Sequence, residues 1–151
     1  MALTAGSPAP PINLMTDEGQ PFQLSSLAGK NVILFFYPKA DTPGCTKEAC
    51  SFRDEAPKIK KKNTVILGIS ADTEKAQAKF KTKFGLPYTL LADPEHKVAE
   101  AYGVWKEKSM YGRKYFGIER TTFLIGPDGR IRQIFHKVKP EGHGAEVLAA
   151  L

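Results

Sequence analysis

Two uninterrupted apolar runs stand out along the chain, Val32-Ile33-Leu34-Phe35-Phe36 and Thr64-Val65-Ile66-Leu67-Gly68-Ile69-Ser70. Both read as buried strands. Pro38 ends the first. From Thr46 onward, Lys47, Glu48, Ala49, Phe52, Arg53 and Glu55 favour a helix that should stop near Pro57 or in the run Lys58-Ile59-Lys60-Lys61-Lys62. After the second strand, Asp72 or Thr73 can cap a helix that sets Ala76, Phe80 and Phe84 on one face and closes at Gly85. A short strand over 88–91 follows. Asp93-Pro94 then opens another helix, with Val98 and Tyr102 on its apolar side.

Weaker patterns fill the rest. Residues 1–11 form a Pro- and Ala-rich extended lead-in. Residues 12–16 and 22–24 flank Asp17-Glu18-Gly19-Gln20 as a hairpin, and residues 25–29 make one helical turn closed by Gly29. Residues 105–117 mix charges, glycine and aromatics and read as a long surface loop. Its Trp105, Met110, Tyr111, Tyr115 and Phe116 either shape a pocket wall or anchor the loop to the body. A strand over 121–125, a turn at 126–129, an antiparallel partner over 130–138 and a helix over 144–151 complete the chain. Strands alternating with helices, then a hairpin and a helix, indicate an α/β fold around a mixed sheet. Repeats, linkers and low-complexity segments are missing from the sequence.

At 151 residues the chain suits one domain, 1–151, with a core of its own. No apolar run approaches membrane-spanning length. The first six residues lack the basic and apolar regions of a secretion signal, which suggests the cytoplasm unless an organelle transit segment has been removed. The net charge of +6 is concentrated at Lys58 to Lys62 and at Lys75, Lys79, Lys81 and Lys83. Such clusters attract nucleic acid, but no nucleic-acid-binding motif accompanies them, and a solvated helix end and face account for them. Nucleic acid and membrane are therefore not expected partners. His96, His136 and His143 are scattered, and two cysteines complete no zinc ligand set, so no metal is expected.

Both cysteines, Cys45 and Cys50, fall in the segment that joins the first strand to its helix. Pro43 and Gly44 mark a tight turn, so Cys45 sits on or just before the first helical turn. Free N–H groups and the helix dipole there favour a thiolate and should lower the Cys45 pKa. The Pro, Gly and Thr neighbours suggest an exposed loop tip rather than a core position.

The string Pro38-Lys39-Ala40-Asp41-Thr42-Pro43-Gly44-Cys45 resembles the active site of the peroxiredoxins, thiol-dependent peroxidases with a thioredoxin-like fold. Its continuation Thr46-Lys47-Glu48-Ala49-Cys50 is similar to the bacterioferritin comigratory protein (PrxQ) subfamily. Leu67-Gly68-Ile69-Ser70 and Arg120-Thr121-Thr122-Phe123-Leu124-Ile125 resemble the family's later strands, and the likeness spans nearly the whole chain. The resemblance implies a mixed central sheet flanked by helices with an N-terminal hairpin extension. It implies reduction of hydrogen peroxide and organic hydroperoxides by a peroxidatic Cys45. Cys50 would resolve the resulting sulfenic acid as an intramolecular disulfide, for a thioredoxin or similar dithiol to reduce. It also implies a monomer that needs no cofactor.

Ionising a free thiol of ordinary pKa gains at most roughly 30-fold at neutral pH. The rest of the rate must come from orienting the peroxide and stabilising charge on the departing oxygen. The resemblance assigns that work to Thr42, Arg120 and Pro38. Thr42 can bridge peroxide and sulfur, or be only a turn residue or helix cap. Arg120 reaches the cysteine loop if its strand lies beside the first one, and is otherwise a surface charge. Pro38 shields the sulfur, or merely ends a strand. Glu48 matches a common family residue but stays outside the catalytic set. One rival is a thiol-disulfide oxidoreductase, which would normally carry Cys-x-x-Cys. The other is a basic nucleic-acid-binding module.

Overall fold

The computed structural model describes residues 3–151; Met1 and Ala2, the start of the predicted lead-in, lie outside the described residues. The N-terminal strands β1 (Asn13–Thr16) and β2 (Pro21–Gln23) pair antiparallel as the expected hairpin. A 3-10 turn, Leu24–Leu27, leads into β3 (Asn31–Phe36), and α1 (Pro43–Lys60) follows. Next come β4 (Thr64–Ser70), α2 (Glu74–Phe84), β5 (Thr89–Ala92) and α3 (Lys97–Ala101). The chain ends with β6 (Trp105–Met110), β7 (Arg113–Ile118), β8 (Thr121–Ile125), β9 (Ile131–Phe135) and α4 (His143–Ala149). Seven strands form one sheet in the order β2-β1-β5-β4-β3-β8-β9. β3, β4 and β5 run parallel, and the flanking strands are antiparallel.

The apolar run of β3 is continuous because the sheet is covered on both faces. Alternation divides it. Val32, Leu34 and Phe36 pack with Val98, Ala99 and Tyr102 around α3. Ile33, Phe35 and Tyr37 pack with Cys45, Ala49 and Phe52 of α1, Phe80 of α2 and Val147 of α4. Phe35 stacks on Phe52 at 4.7 Å between centroids. α1 is therefore pinned to the middle of the sheet directly behind the strand that feeds it.

Local signals behave as their chemistry dictates. Thr73 caps α2 by accepting from Ala76 N, and Gly85 ends it in the left-handed conformation at φ 59. α1 runs through Pro57 and stops within the lysine run. Two expectations fail. Asp93-Pro94 does not open α3, which begins at Lys97; the Asp93 carboxylate instead accepts from Val98 N and Ala99 N and caps the helix from outside. Residues 105–117 are not a loop, because β6 and β7 form a separate two-stranded hairpin turned at Tyr111-Gly112, both at positive φ. Met110, Tyr111, Tyr115 and Phe116 are exposed rather than packed into the body, and Phe116 lies nearly parallel to Trp105 at 6.5 Å. Trp105 anchors the hairpin, stacked on His96 at 4.0 Å with its plane 3° from parallel, and Ile118 at the end of β7 is buried in the core.

Candidate active site

The segment between β3 and α1 is held at each step. Ala40 N donates to Asp72 Oδ2 at 2.8 Å, and Ser70 Oγ donates to the same oxygen at 2.6 Å. Asp41 adopts φ 60 and pairs with Lys83 of α2 at 2.9 Å. Thr42 is the extended residue before the helix, and Pro43 starts the helix, where a missing N–H costs nothing. Pro43 and Gly44 thus belong to the first turn of α1 rather than to a separate tight turn. Pro38 is half-buried at the start of the segment.

Cys45 is the third residue of α1, among the N–H groups that have no partner within the helix. The exposed position expected for it is wrong. It is 1% exposed and belongs to the core beneath the sheet. Polar and turn-forming neighbours describe the loop, whereas the side chain of the third helical residue points back over the body of the protein.

Arg120 reaches this sulfur because β8 is the antiparallel neighbour of β3, with Thr121 opposite Phe36. Its Nη2 donates to Cys45 Sγ at 3.4 Å and its Nη1 to Glu48 Oε1 at 2.7 Å. A Cβ on Gly44 would lie 3.2 Å from Arg120 Nη2, so the glycine leaves room for the guanidinium. The Thr42 hydroxyl lies near the helix start but donates to Lys39 O at 2.9 Å rather than capping the helix.

Two residues outside the expected set complete the site. The Glu48 side chain is fully buried, and burial pushes its carboxyl up to about 7 despite the neighbouring Arg120. His143, at the start of α4, is buried edge-on between Phe52 and Phe135. Its Nε2 lies 2.7 Å from Thr122 Oγ1 and 4.0 Å from Glu48 Oε2, and its Nδ1 lies 2.7 Å from Glu146 Oε1. Burial pushes the imidazole below its ordinary value. Glu48 was legible in principle, since it lies three residues after Cys45 on the same helical face. His143 carries no local signal.

The structure therefore brings Cys45 and Arg120 together, keeps Thr42 and Pro38 on the adjoining segment, and leaves both cysteines free. Cys50 is half-buried on the same unbroken helix as Cys45. Among the described residues no group of three or more His, Cys, Asp or Glu could hold a metal ion, and no helix is long and apolar enough to cross a membrane.

Residues 5–134 match the family model described as AhpC/TSA. Peroxiredoxin Bcp of Bacillus subtilis is 47% identical over 151 residues, covering all of this chain and 96% of that protein. The bacterioferritin comigratory protein of Xanthomonas campestris, described with its alkyl peroxide reduction activity, superposes with a TM-score of 0.88 at 40% identity over 92% of this chain and 88% of that one. A cysteine-to-serine mutant of PrxQ from Xylella fastidiosa superposes with a TM-score of 0.92 at 35% identity, covering 99% of this chain and 96% of that one.

Proposed function

The chain belongs to the AhpC/TSA family, among peroxiredoxins of the Bcp/PrxQ type with the thioredoxin-like fold, and from that premise we propose that Cys45 is its peroxidatic thiol and Cys50 its resolving thiol. The protein is a thiol-dependent peroxidase. The observation that carries the assignment is the 3.4 Å bond from Arg120 to Cys45 Sγ at the start of α1.

The Cys45 thiolate attacks one peroxide oxygen as the O–O bond breaks. The sulfur is oxidised to a sulfenic acid, and the departing oxygen leaves with the bonding pair and takes a proton as water or alcohol. Arg120 stabilises the sulfur anion and then the departing oxygen, as a fixed donor within a water-poor site. The Thr42 hydroxyl, while donating to Lys39 O, keeps its lone pairs free to accept from the incoming peroxide, and Pro38 screens the sulfur from solvent. The Cys50 thiolate then attacks the sulfenic sulfur, an S–S bond forms, and the hydroxide is lost as water. A cytoplasmic dithiol of the thioredoxin type then reduces the disulfide, itself becoming a disulfide, and returns both thiols.

The test is peroxide consumption with a thioredoxin system. Cys45→Ser abolishes turnover, because a neutral hydroxyl is no comparable nucleophile. Substantial residual activity in that variant overturns the assignment.

A further inference from the structure

The reaction just described leaves a buried polar cluster without a part. Glu48 Oε1 is bound to Arg120, but Glu48 Oε2 is buried and has no hydrogen-bond partner among the described residues. A carboxylate oxygen in that condition is costly. His143 Nε2 stands 4.0 Å from it. The charged groups facing His143 are Glu146 on its own helix, Glu48 on α1 and Arg120 ahead of β8. Phe52 and Phe135 cover it otherwise.

The hydrogen bonds fix where the protons lie. Glu146 as a carboxylate only accepts, so His143 Nδ1 carries the hydrogen of that 2.7 Å contact. In the neutral ring Nε2 then accepts from the Thr122 hydroxyl, and nothing is offered to Glu48 Oε2. A second proton on Nε2 puts a cation beside that oxygen and favours the ionised carboxylate. Without it, Glu48 takes up a proton more readily and Arg120 loses its counter-ion. The two side chains form a coupled pair in which one proton can rest on either partner.

We infer that His143 is a positioning residue for the peroxidase reaction: from α4 it sets the charge on Glu48, and Glu48 sets how firmly Arg120 is held at the Cys45 sulfur. The inference rests on Cys45 being the reacting thiol. It assigns the C-terminal helix a part in the chemistry, although among the described residues the hydrogen bond to the sulfur comes from Arg120 and not from that helix. Thr122 keeps the ring in register, and Glu146 fixes its tautomer.

Two measurements decide it. The first follows the His143 imidazole by NMR against pH and needs no peroxidase activity, so it holds whatever becomes of the assignment of Cys45. Glu48→Gln removes a facing carboxylate and moves the His143 midpoint to lower pH, by about half a unit or more for a coupling of a few-fold. An unmoved midpoint overturns the inference even in an active enzyme. The second is the rate of sulfenate formation across pH. H143Q retains an acceptor for Thr122 but cannot become a cation. It slows the reaction roughly three- to tenfold on the acid side of the His143 midpoint, where the ring is charged, the size of a coupling of half to one unit, and hardly at all near pH 8. In an E48Q background the same change has no further effect. Losses that are equal at every pH, or that simply add in the double variant, mean that His143 only packs. Should H143Q fail to fold, the imidazole titration in E48Q decides alone.

Discussion

Arg120 makes two bonds with one planar group, Nη1 to Glu48 Oε1 and Nη2 to Cys45 Sγ. A lysine carries the same charge but concentrates it on one nitrogen and cannot match the fork. Arg120→Lys therefore lowers the rate constant for peroxide attack on the order of a hundredfold, comparable to removing one oriented donor from a transition state. Stopped-flow kinetics with the reduced enzyme measure this, and a rate within twofold of wild type would show that charge alone suffices. Cys45 and Thr42 stood out in the sequence because their spacing is local, whereas Arg120 stood out only through the family resemblance, since its place beside Cys45 depends on β8 lying against β3. The burial of Cys45 and the Glu48–His143 contact were not legible, since the first exists only once α1 is packed under the sheet and the second only once α4 is laid on α1. Proximity of residues 48 and 143 is a product of sheet order, which no window of sequence contains.

The helix α1 is both the platform of the site and the obstacle to its second step. Residues five apart on an α-helix are separated by about 7.5 Å along the axis and roughly 140° around it. A disulfide needs Cα atoms within about 7 Å and converging side chains. Both cysteines lie on the intact Pro43–Lys60 helix, so the bond requires that helix to unwind locally. α4 opposes the unwinding. Gly144 N donates to Ser51 Oγ at 2.9 Å, and a Cβ on Gly144 would fall 2.3 Å from Ser51 O, so two backbones meet with no side chain between them. Amide exchange over residues 42–55 should show strong protection in the reduced enzyme and its loss in the Cys45–Cys50 bonded form; equal protection in both would sink the idea. Cys50→Ser should leave the sulfenic acid waiting and increase sulfinic acid, read by mass spectrometry. Most elements were legible because capping and apolar runs are strong signals. The β6–β7 hairpin was missed because both its faces are largely exposed, which removes the period-2 pattern that betrays a strand.

At the scale of the whole molecule, the buried pair works against itself as pH changes. The Glu48 carboxyl moves from an ordinary 4.5 up to about 7, so between those values the folded protein binds more protons than the unfolded chain. Its contribution to stability is full below the lower value and is lost as pH rises through the upper one. His143 is shifted downward and acts with the opposite sign: its neutral folded form becomes a liability as pH falls below the ordinary histidine range. Glu48→Gln therefore gains stability relative to wild type on going from about pH 5 to about pH 8, by at most about 3 kcal/mol for a shift of this size. Thermal melts at the two pH values check it, and a constant difference between the proteins would contradict it. The α/β class and the N-terminal hairpin were legible from β3, β4 and the residues flanking the turn at 17–20. The order of strands in the sheet was not, because registers between distant segments leave no local trace. The single tryptophan of the chain, Trp105, lies flat against the imidazole of His96 and so ties β6 to the start of α3. Its emission should respond to that contact. Anything that lifts the hairpin, whether a docking reductant or a substitution, parts the rings and changes the fluorescence, and the enzyme thereby carries its own optical gauge without a label.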